Sequence, residues 1–384
     1  MLSKGNIKVN KDVVILGIGQ SPYIKRPDPS YLTIDALAEA TKLAIADSGL
    51  SLHDIDGLAV SSFTLKPDQA IDVALKFGLK VHWIMDGSTG GASGIDMVQH
   101  ARAAILAGDA KNILVVAGDV FHQNDFTYLV ENYNRNTQEY LAQIGIKGPN
   151  PLFAMLTSLQ MAKLNIAQED YGKIVCRQRE WAASNPNALY REPLAIEEYL
   201  AAPPVATPLG MFDCVPVASG ANALVLSSDH SRPGHAARIV DIAVNHNFDS
   251  HEGDGTSTGL SEIAAPFLKR NAIDIKGIEV LSVYDDYPAI VLAQLIDLGL
   301  IDPQNAAERI DTLMTNPKIR INSSGGQLSS GQCGAGAGLH GVYEIIDALR
   351  KDPTIENRTG LVSGYGMVGY RYGMCANLLA LEVI

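Results

Sequence analysis

Short apolar, β-branched runs alternate along the chain with longer stretches whose apolar positions recur at helical spacing. DVVILGIGQSPY reads as a strand closed by Gly and Pro. SYLTIDALAEATKLAIADSGLS reads as the helix after it, with Leu32, Leu37, Ala38, Ala44 and Ile45 on a helical period. Ser30 suits the N-cap of that helix and Gly49 its C′ position. DIDGLAVSSF predicts the next strand. GASGIDMVQHARAAILAG predicts a helix with Ile95, Val98, Ala101 and Ile105 on one face, and NILVVAGD a strand buried on both sides. Strand and helix in alternation predict a parallel α/β sheet.

From about Phe121 to Cys214 the pattern loosens into Tyr-, Asn- and Pro-rich stretches, with helical pieces such as AMLTSLQMAKLNIA among them. GANALVLSSD and ARIVDIAVNHN restore strand composition. The remainder repeats the opening rhythm: strand IEVLSVYDDY, helix PAIVLAQLIDLGLI, a glycine-rich loop, helix LHGVYEIIDALRKD, and strands GLVSGYG and CANLLALEVI. The pattern predicts two similar α/β halves, residues 1–235 and 236–384, the first carrying a loop excursion over about 120–213. A length of 384 residues supports two cores rather than one.

Composition narrows the function classes. Apolar residues make up 47%, yet no uncharged apolar run is long enough to span a bilayer. The opening MLSKGNIKVNKDVVILGIG carries lysines without an apolar segment ending in a cleavage site, which predicts a cytoplasmic protein. The net charge of −12, with no sustained Lys/Arg run, argues against nucleic acid as a partner. Cys176, Cys214, Cys333 and Cys375 lie far apart and form no CxxC pair, so neither a zinc site nor a disulfide framework is signalled.

Five ordered segments carry a resemblance: GASGIDMVQHARAAILAGDAKNILVVAGD, EPLAIEEYLAAPPVATPLGMFDCVPVASGANALVLSS, VYDDYPAIVLAQLIDLGL, INSSGGQLSSGQCGAGAGLHG and VSGYGMVGYRYG. Together they resemble the thiolase superfamily over almost the whole chain. The likeness is to its thiolase-like branch, which includes lipid-transfer-type thiolases and acyl-CoA lyases working with a small zinc-ribbon/OB-fold partner. The resemblance implies a thiolase fold, with two βαβαβαββ halves in a layered αβαβα arrangement and an inserted loop domain. It also implies a homodimer, an acyl-CoA substrate and a zinc-ribbon/OB-fold acyl-CoA-binding partner. Coenzyme A would enter as part of the substrate, and no cofactor would stay bound.

Thiolases place a cysteine nucleophile at the start of the central helix, where N–H groups and the helix dipole favour a thiolate. The resemblance sets that position on Gly91, which has no side chain to acylate. Ser88 and Ser93 lie nearby, but a serine there needs an adjacent base that the sequence does not show. The family's Asn or His in N-E-x-F or H-D-x-F falls on Tyr284, its catalytic His on Gln332 and the following Pro on Cys333. Its second cysteine falls near Ser363, in a turn where Tyr365 is the titratable side chain and Gly366 a backbone donor. Cys214 matches a position the family fills for packing, and His340 suits a cap or packing role. His122, His246 and His251 could approach the site only through the fold.

Without the cysteine, a Claisen reaction through an acyl-enzyme loses its first step. Retro-aldol cleavage of a β-hydroxyacyl-CoA needs no covalent intermediate. A base takes the β-hydroxyl proton, the Cα–Cβ bond breaks, and hydrogen-bond donors hold the thioester enolate until it is protonated. Tyr284, Tyr365, Gln332 and Asp285 or Asp286 suit that set, with N–H groups near Gly91 and Gly366 as oxyanion donors. Members of the branch that lack the cysteine include retro-aldolases trimming steroid or other branched side chains from acyl-CoA thioesters. An acyltransferase using Cys333 or a serine, and a non-catalytic acyl-CoA-binding subunit, are the alternatives. An α/β hydrolase would need a G-x-S-x-G elbow that is missing. Lys163, Lys173, Arg177 and Arg179 are candidates for the CoA phosphates by location, weighed against a solvated helix face.

Overall fold

The computed structural model describes residues 12–67, 69–229, 232–369 and 372–384, so Tyr370 and Arg371 of the last motif lie outside the described residues. The first half runs β1 (Val14–Gln20), α1 (Thr33–Ser48), β2 (Gly57–Ser61), α2 (Ala70–Phe77), β3 (Trp83–Asp86), α3 (Ser93–Ala107) and β4 (Asn112–Asp119). An excursion follows, with α4 (Asp125–Glu131), α5 (Asn150–Leu164), α6 (Gln168–Ala182), α7 (Ile196–Leu200) and a small hairpin of β5 (Pro204–Ala206) and β6 (Leu209–Gly210). β7 (Gly220–Ser227) returns to the sheet. The second half comprises β8 (Ala237–His246), α8 (Leu260–Arg270), β9 (Val280–Val283), α9 (Pro288–Asp297), α10 (Ala306–Thr315) and β10 (Arg320–Ile321). It ends with α11 (Gly326–Ser330), α12 (Ala337–Lys351), β11 (Thr359–Val368) and β12 (Gly373–Val383).

The strands lie in the order β3-β2-β4-β7-β1-β8-β12-β11-β9-β10, so the two halves use one order and meet edge to edge. Val14 and Ile15 of β1 pair with Arg238 and Ala237 of β8 at the junction. The sheet is mixed rather than parallel as alternation predicted. β2, β3 and β4 are parallel to one another, as are β9, β10 and β11, but β7, β1, β8 and β12 join antiparallel. The last two strands of the second half are joined by a short turn, which only an antiparallel pair permits.

Helices α3 and α12 pack against each other and against strands of both halves, forming the middle layer. Their backbones touch: a Cβ on Gly94 would lie 1.9 Å from the Gly338 carbonyl oxygen. On the other faces α1 and α2 cover the first half and α8 and α9 the second, which completes the αβαβα layering. Ile113, Leu114, Val115 and Val116 of β4 are wholly buried between layers, each contributing roughly 1.5–3 kcal/mol of burial.

Two local expectations change. Helix α1 begins at Thr33, not after Ser30, because Ser30 donates to Asp28 while the Asp35 carboxylate accepts from Leu32 N at 2.8 Å. Gly49 takes the expected left-handed C′ position, with φ of 75°. Nor is the excursion mainly loop. α5 and α6 pack onto α9, and α6 also onto α10 and α11. That covering layer explains how α9, PAIVLAQLID, is apolar nearly all round and still buried.

Candidate active site

The sequence-predicted positions come from four separate loops and strand ends that converge on one cavity of about 220 Å³. Gly91 sits in the short turn Gly90–Ala92 before α3. Tyr284, Asp286 and Tyr287 follow β9, Gln332 and Gly334 link α11 to α12, and Tyr365 and Gly366 belong to β11. Backbone bonds pin the Gln332 loop, and the Gln294 side chain ties the segments of Tyr284 and Ser363 together. Gln332 N donates to Pro216 O at 2.9 Å and Ala218 N to Gln332 O at 3.0 Å. Gln294 of α9, itself unexposed, donates to Tyr284 O at 2.6 Å and accepts from Ser363 Oγ at 2.8 Å.

Position 91 has no room for a side chain. A Cβ there would lie 2.2 Å from the Tyr284 ring and 2.3 Å from the Tyr365 carbonyl oxygen. Gly366 packs onto the same turn, where its Cβ would meet Gly91 N at 2.4 Å. The tyrosine ring therefore occupies the volume in which a nucleophile would stand.

Asp286 is the polar centre of the cavity wall. The Tyr284 hydroxyl donates to its Oδ2 at 3.1 Å, and Gln332 Nε2 donates to Oδ1 at 3.1 Å and Oδ2 at 3.3 Å. Burial by the cavity walls and the neighbouring Asp285 carboxylate push Asp286 up to about 7, against the pull of those two donors. Tyr284 is pushed well above its ordinary value by burial and by the Asp286 charge, so it stays protonated and donates. A carboxylate poised near neutrality, hydrogen-bonded to a protonated phenol, is an acid–base pair.

The other predicted residues separate from this centre. Asp285 turns away from the cavity and accepts from Gln327 N at 3.0 Å, Leu328 N at 3.3 Å and Gln178 Nε2 at 3.0 Å, tying down α11. Burial raises it to about 6. Tyr365 borders the cavity, and its hydroxyl accepts from Gly373 N at 2.6 Å. Cys333 faces inward between Tyr23 and Asn222, with no exposure, and burial pushes its thiol up to about 12. Cys214 lines the cavity, but burial holds its thiol at about 12 as well. Ser88 is exposed and Ser93 buried, and neither borders the cavity.

His340 is buried between the Tyr23 hydroxyl, at 3.0 Å, and Ser324 Oγ, at 2.8 Å, and burial lowers it to about 4. His122, His246 and His251 do not line the cavity. The candidate phosphate-binding cations are engaged elsewhere. Lys163 pairs with Asp254, Lys173 with Asp170 and Asp311, and Arg177 with Glu180. Arg179 donates to Ser329 Oγ at 3.1 Å.

Residues without a motif complete the site. Asp119, at the end of β4, accepts from Phe63 N and Thr64 N at 2.8 Å and from Ala335 N at 2.7 Å. It thereby clamps the Phe63 wall to the Gln332–Gly334 loop, and the Gly-Asp that ends its strand is its only trace in the sequence. Phe126, Leu129, Tyr133, Leu141, Leu152 and Phe153 of the excursion form the apolar wall. Nothing in the excursion's irregular pattern marks them.

A layered αβαβα fold of two matching halves, with a glycine turn before the central helix facing a cavity built by both halves, defines a thiolase-like protein. The Thiolase C-terminal domain-like family matches residues 242–374. This match and the relatives that follow support the thiolase-like, lipid-transfer-type branch of the thiolase superfamily. The chain is 27% identical over 359 residues to a steroid side-chain-cleaving aldolase of Thermomonospora curvata, covering 88% of this chain and 89% of that one. It is also 27% identical over 373 residues to a 17-hydroxy-3-oxo-4-pregnene-20-carboxyl-CoA lyase of Mycobacterium tuberculosis, with 88% and 90% covered. A solved structure described as an Ltp2-ChsH2(DUF35) aldolase shares the fold, with a TM-score of 0.83, 24% identity and 98% of each chain covered.

Proposed function

We propose that the chain cleaves a β-hydroxyacyl-CoA by a retro-aldol reaction, releasing a ketone and a shortened acyl-CoA. The observation that carries this reading is the Asp286–Tyr284–Gln332 cluster at a cavity where position 91 cannot hold a nucleophile. The ionised Asp286 takes the β-hydroxyl proton as the Cα–Cβ bond breaks, and its electrons pass into the thioester enolate. Gln332 keeps an amide N–H for that enolate oxygen, Tyr284 gives its proton to Cα, and Asp286 returns a proton to Tyr284. The cycle closes without an external acid. Tyr365 acts as a wall of the site, with Gly91 in the turn before α3 and Gly366 of β11 packed against that turn.

The apolar wall of Phe126, Leu129, Leu141, Leu152 and Phe153 favours a bulky hydrocarbon acyl group, in keeping with relatives named as a steroid side-chain-cleaving aldolase and a 17-hydroxy-3-oxo-4-pregnene-20-carboxyl-CoA lyase. Coenzyme A belongs to the substrate. Because Lys163, Lys173 and Arg177 are paired away from the cavity, we assign its phosphates in part to a small zinc-ribbon/OB-fold partner. Ile71 and Leu75 of α2 and Ile84 of the edge strand β3 are exposed at 61%, 79% and 43%, which supports a homodimer closing that edge. Among the described residues no helix is long and apolar enough to cross a membrane; we place the enzyme in the cytoplasm and its halves at 1–235 and 236–384.

The test is direct turnover. A β-hydroxyacyl-CoA with a branched, apolar side chain is supplied to the chain in the assembly it purifies with. Release of ketone and shortened acyl-CoA in equal amounts is expected. No cleavage across a panel of such thioesters would remove the reading.

A further inference from the structure

One oxygen at the cavity belongs to none of the motif positions. Tyr133 lies between α4 and the single π-helical turn Thr137–Leu141, in the excursion. Its ring stands edge-on to Phe63, with centroids 5.7 Å apart and planes at 65°. Its hydroxyl rests on the glycine turn: a Cβ on Gly90 would lie 2.7 Å from that oxygen, while a Cβ on Gly91 would strike the Tyr284 ring. Two tyrosines thus sit on successive residues of one turn, and both line the cavity with Asp286 and Gln332.

The neighbouring residue fixes this placement. Asn134 Nδ2 donates to Val368 O, at the end of β11, at 2.7 Å, while its Oδ1 accepts from Thr137 N at 2.9 Å. The excursion is therefore latched to β11 beside Tyr133. Burial and the Asp286 charge raise the Tyr133 phenol above its ordinary value. It stays protonated and so has an O–H to donate into the cavity.

We propose that the Tyr133 hydroxyl binds the thioester oxygen of the acyl-CoA and holds the enolate formed when the Cα–Cβ bond breaks, with Asn134 as its positioning residue. The inference rests on the retro-aldol reading. Tyr133 keeps its proton throughout: the β-hydroxyl proton goes to Asp286, the bonding pair moves to the enolate oxygen, and Tyr284 protonates Cα. A phenol is suited to this because its hydrogen bond strengthens as charge gathers on the oxygen.

The enolate can be approached from the product side, which separates the inference from the cleavage reaction. In D2O the protein should exchange the α-hydrogens of acetyl-CoA and propionyl-CoA, read by mass. Tyr133→Phe should slow both exchange and kcat by about 100-fold, the usual loss of one oxyanion donor, with KM changed little. Asn134→Ala should slow both by about tenfold through misplacement of the hydroxyl. Thermal unfolding of Tyr133→Phe near the wild-type midpoint shows that folding is intact. Exchange and cleavage by Tyr133→Phe within threefold of wild type would overturn the role while leaving the retro-aldol reading standing. A wild-type protein that neither cleaves nor exchanges would overturn both.

Discussion

The Tyr284 hydroxyl donates to the Asp286 carboxylate at 3.1 Å, with Gln332 on the same carboxylate. That contact couples an acid to a base beside a position 91 that carries no nucleophile, and the expected pH behaviour of the enzyme follows from it. Asp286 must be ionised to accept the β-hydroxyl proton, so kcat/KM should rise with pH and level off above about 7. Asp286→Asn should lower kcat by about 100- to 10,000-fold and erase that inflection in a pH–rate profile. An inflection that persists in the variant assigns the titration to another group.

The same residue makes a stability prediction of opposite sign. A carboxyl whose folded pKa is raised binds its proton more tightly when folded, so its contribution is present at low pH and fades as pH rises through about 7. Ionised Asp286 therefore costs the native state, and Asp286→Asn should be more stable than wild type at pH 8 by roughly 1–2 kcal/mol, allowing for the bonds from Tyr284 and Gln332. Denaturant melts at pH 5 and pH 8 read this directly: the advantage of the variant should shrink at the lower pH. Equal midpoints at pH 8 would contradict it.

Gly91 should tolerate no side chain. The Cβ of Gly91→Ala would meet both the Tyr284 ring and the Tyr365 carbonyl oxygen, and the second cannot move without shifting β11. Overpacking of this kind costs about 1–3 kcal/mol, and displacement of Tyr284 should cut cleavage by at least tenfold. Gly91→Cys should show the same losses and no acyl-enzyme by intact mass after incubation with acyl-CoA. A stable acyl adduct would show that the fold still accommodates a nucleophile there.

Cys333 should be inert. Its thiol is enclosed by Tyr23, Asn222 and the Gly336 backbone and is held at about 12 by burial. Native protein should leave it unlabelled by iodoacetamide at pH 7.5, and Cys333→Ala should keep cleavage within threefold. Loss of turnover with an unchanged melting midpoint would return the displaced-nucleophile reading to consideration.

The periodicity of the sequence exposed the two matching halves because strands such as NILVVAGD and helices such as GASGIDMVQHARAAILAG repeat one rhythm. Mixed strand direction was hidden, since a strand buried on both faces has the same composition whichever way it runs. α6, QEDYGKIVCRQREWA, was missed for a related reason: it buries Gln178 and Arg179 along with Ile174 and Val175, and that blurs an apolar stripe. Within the site, motif positions led to Gly91, Tyr284 and Gln332. The choice between Asp285 and Asp286 could not be read, because adjacent residues after a strand point to opposite sides and only the packing of α11 decides which side is the cavity. Tyr133 comes from a segment with no pattern to mark it, and Asp119, although it ends the predicted strand NILVVAGD, carries no signal there of its role as a clamp.

Tyr365 distinguishes a wall from a reacting group. Its hydroxyl accepts from Gly373 N at 2.6 Å, a bond that closes the β11–β12 connection beside the cavity. Tyr365→Phe keeps the ring but leaves that buried N–H without its acceptor, a loss of about 1–3 kcal/mol. The variant should therefore melt a few degrees lower while kcat falls less than tenfold and the inflection near pH 7 remains, because Asp286 and Tyr284 are untouched. If kcat instead drops about 100-fold with the midpoint unchanged, the phenol's own proton takes part in the reaction, and the protonation of Cα passes from Tyr284 to Tyr365.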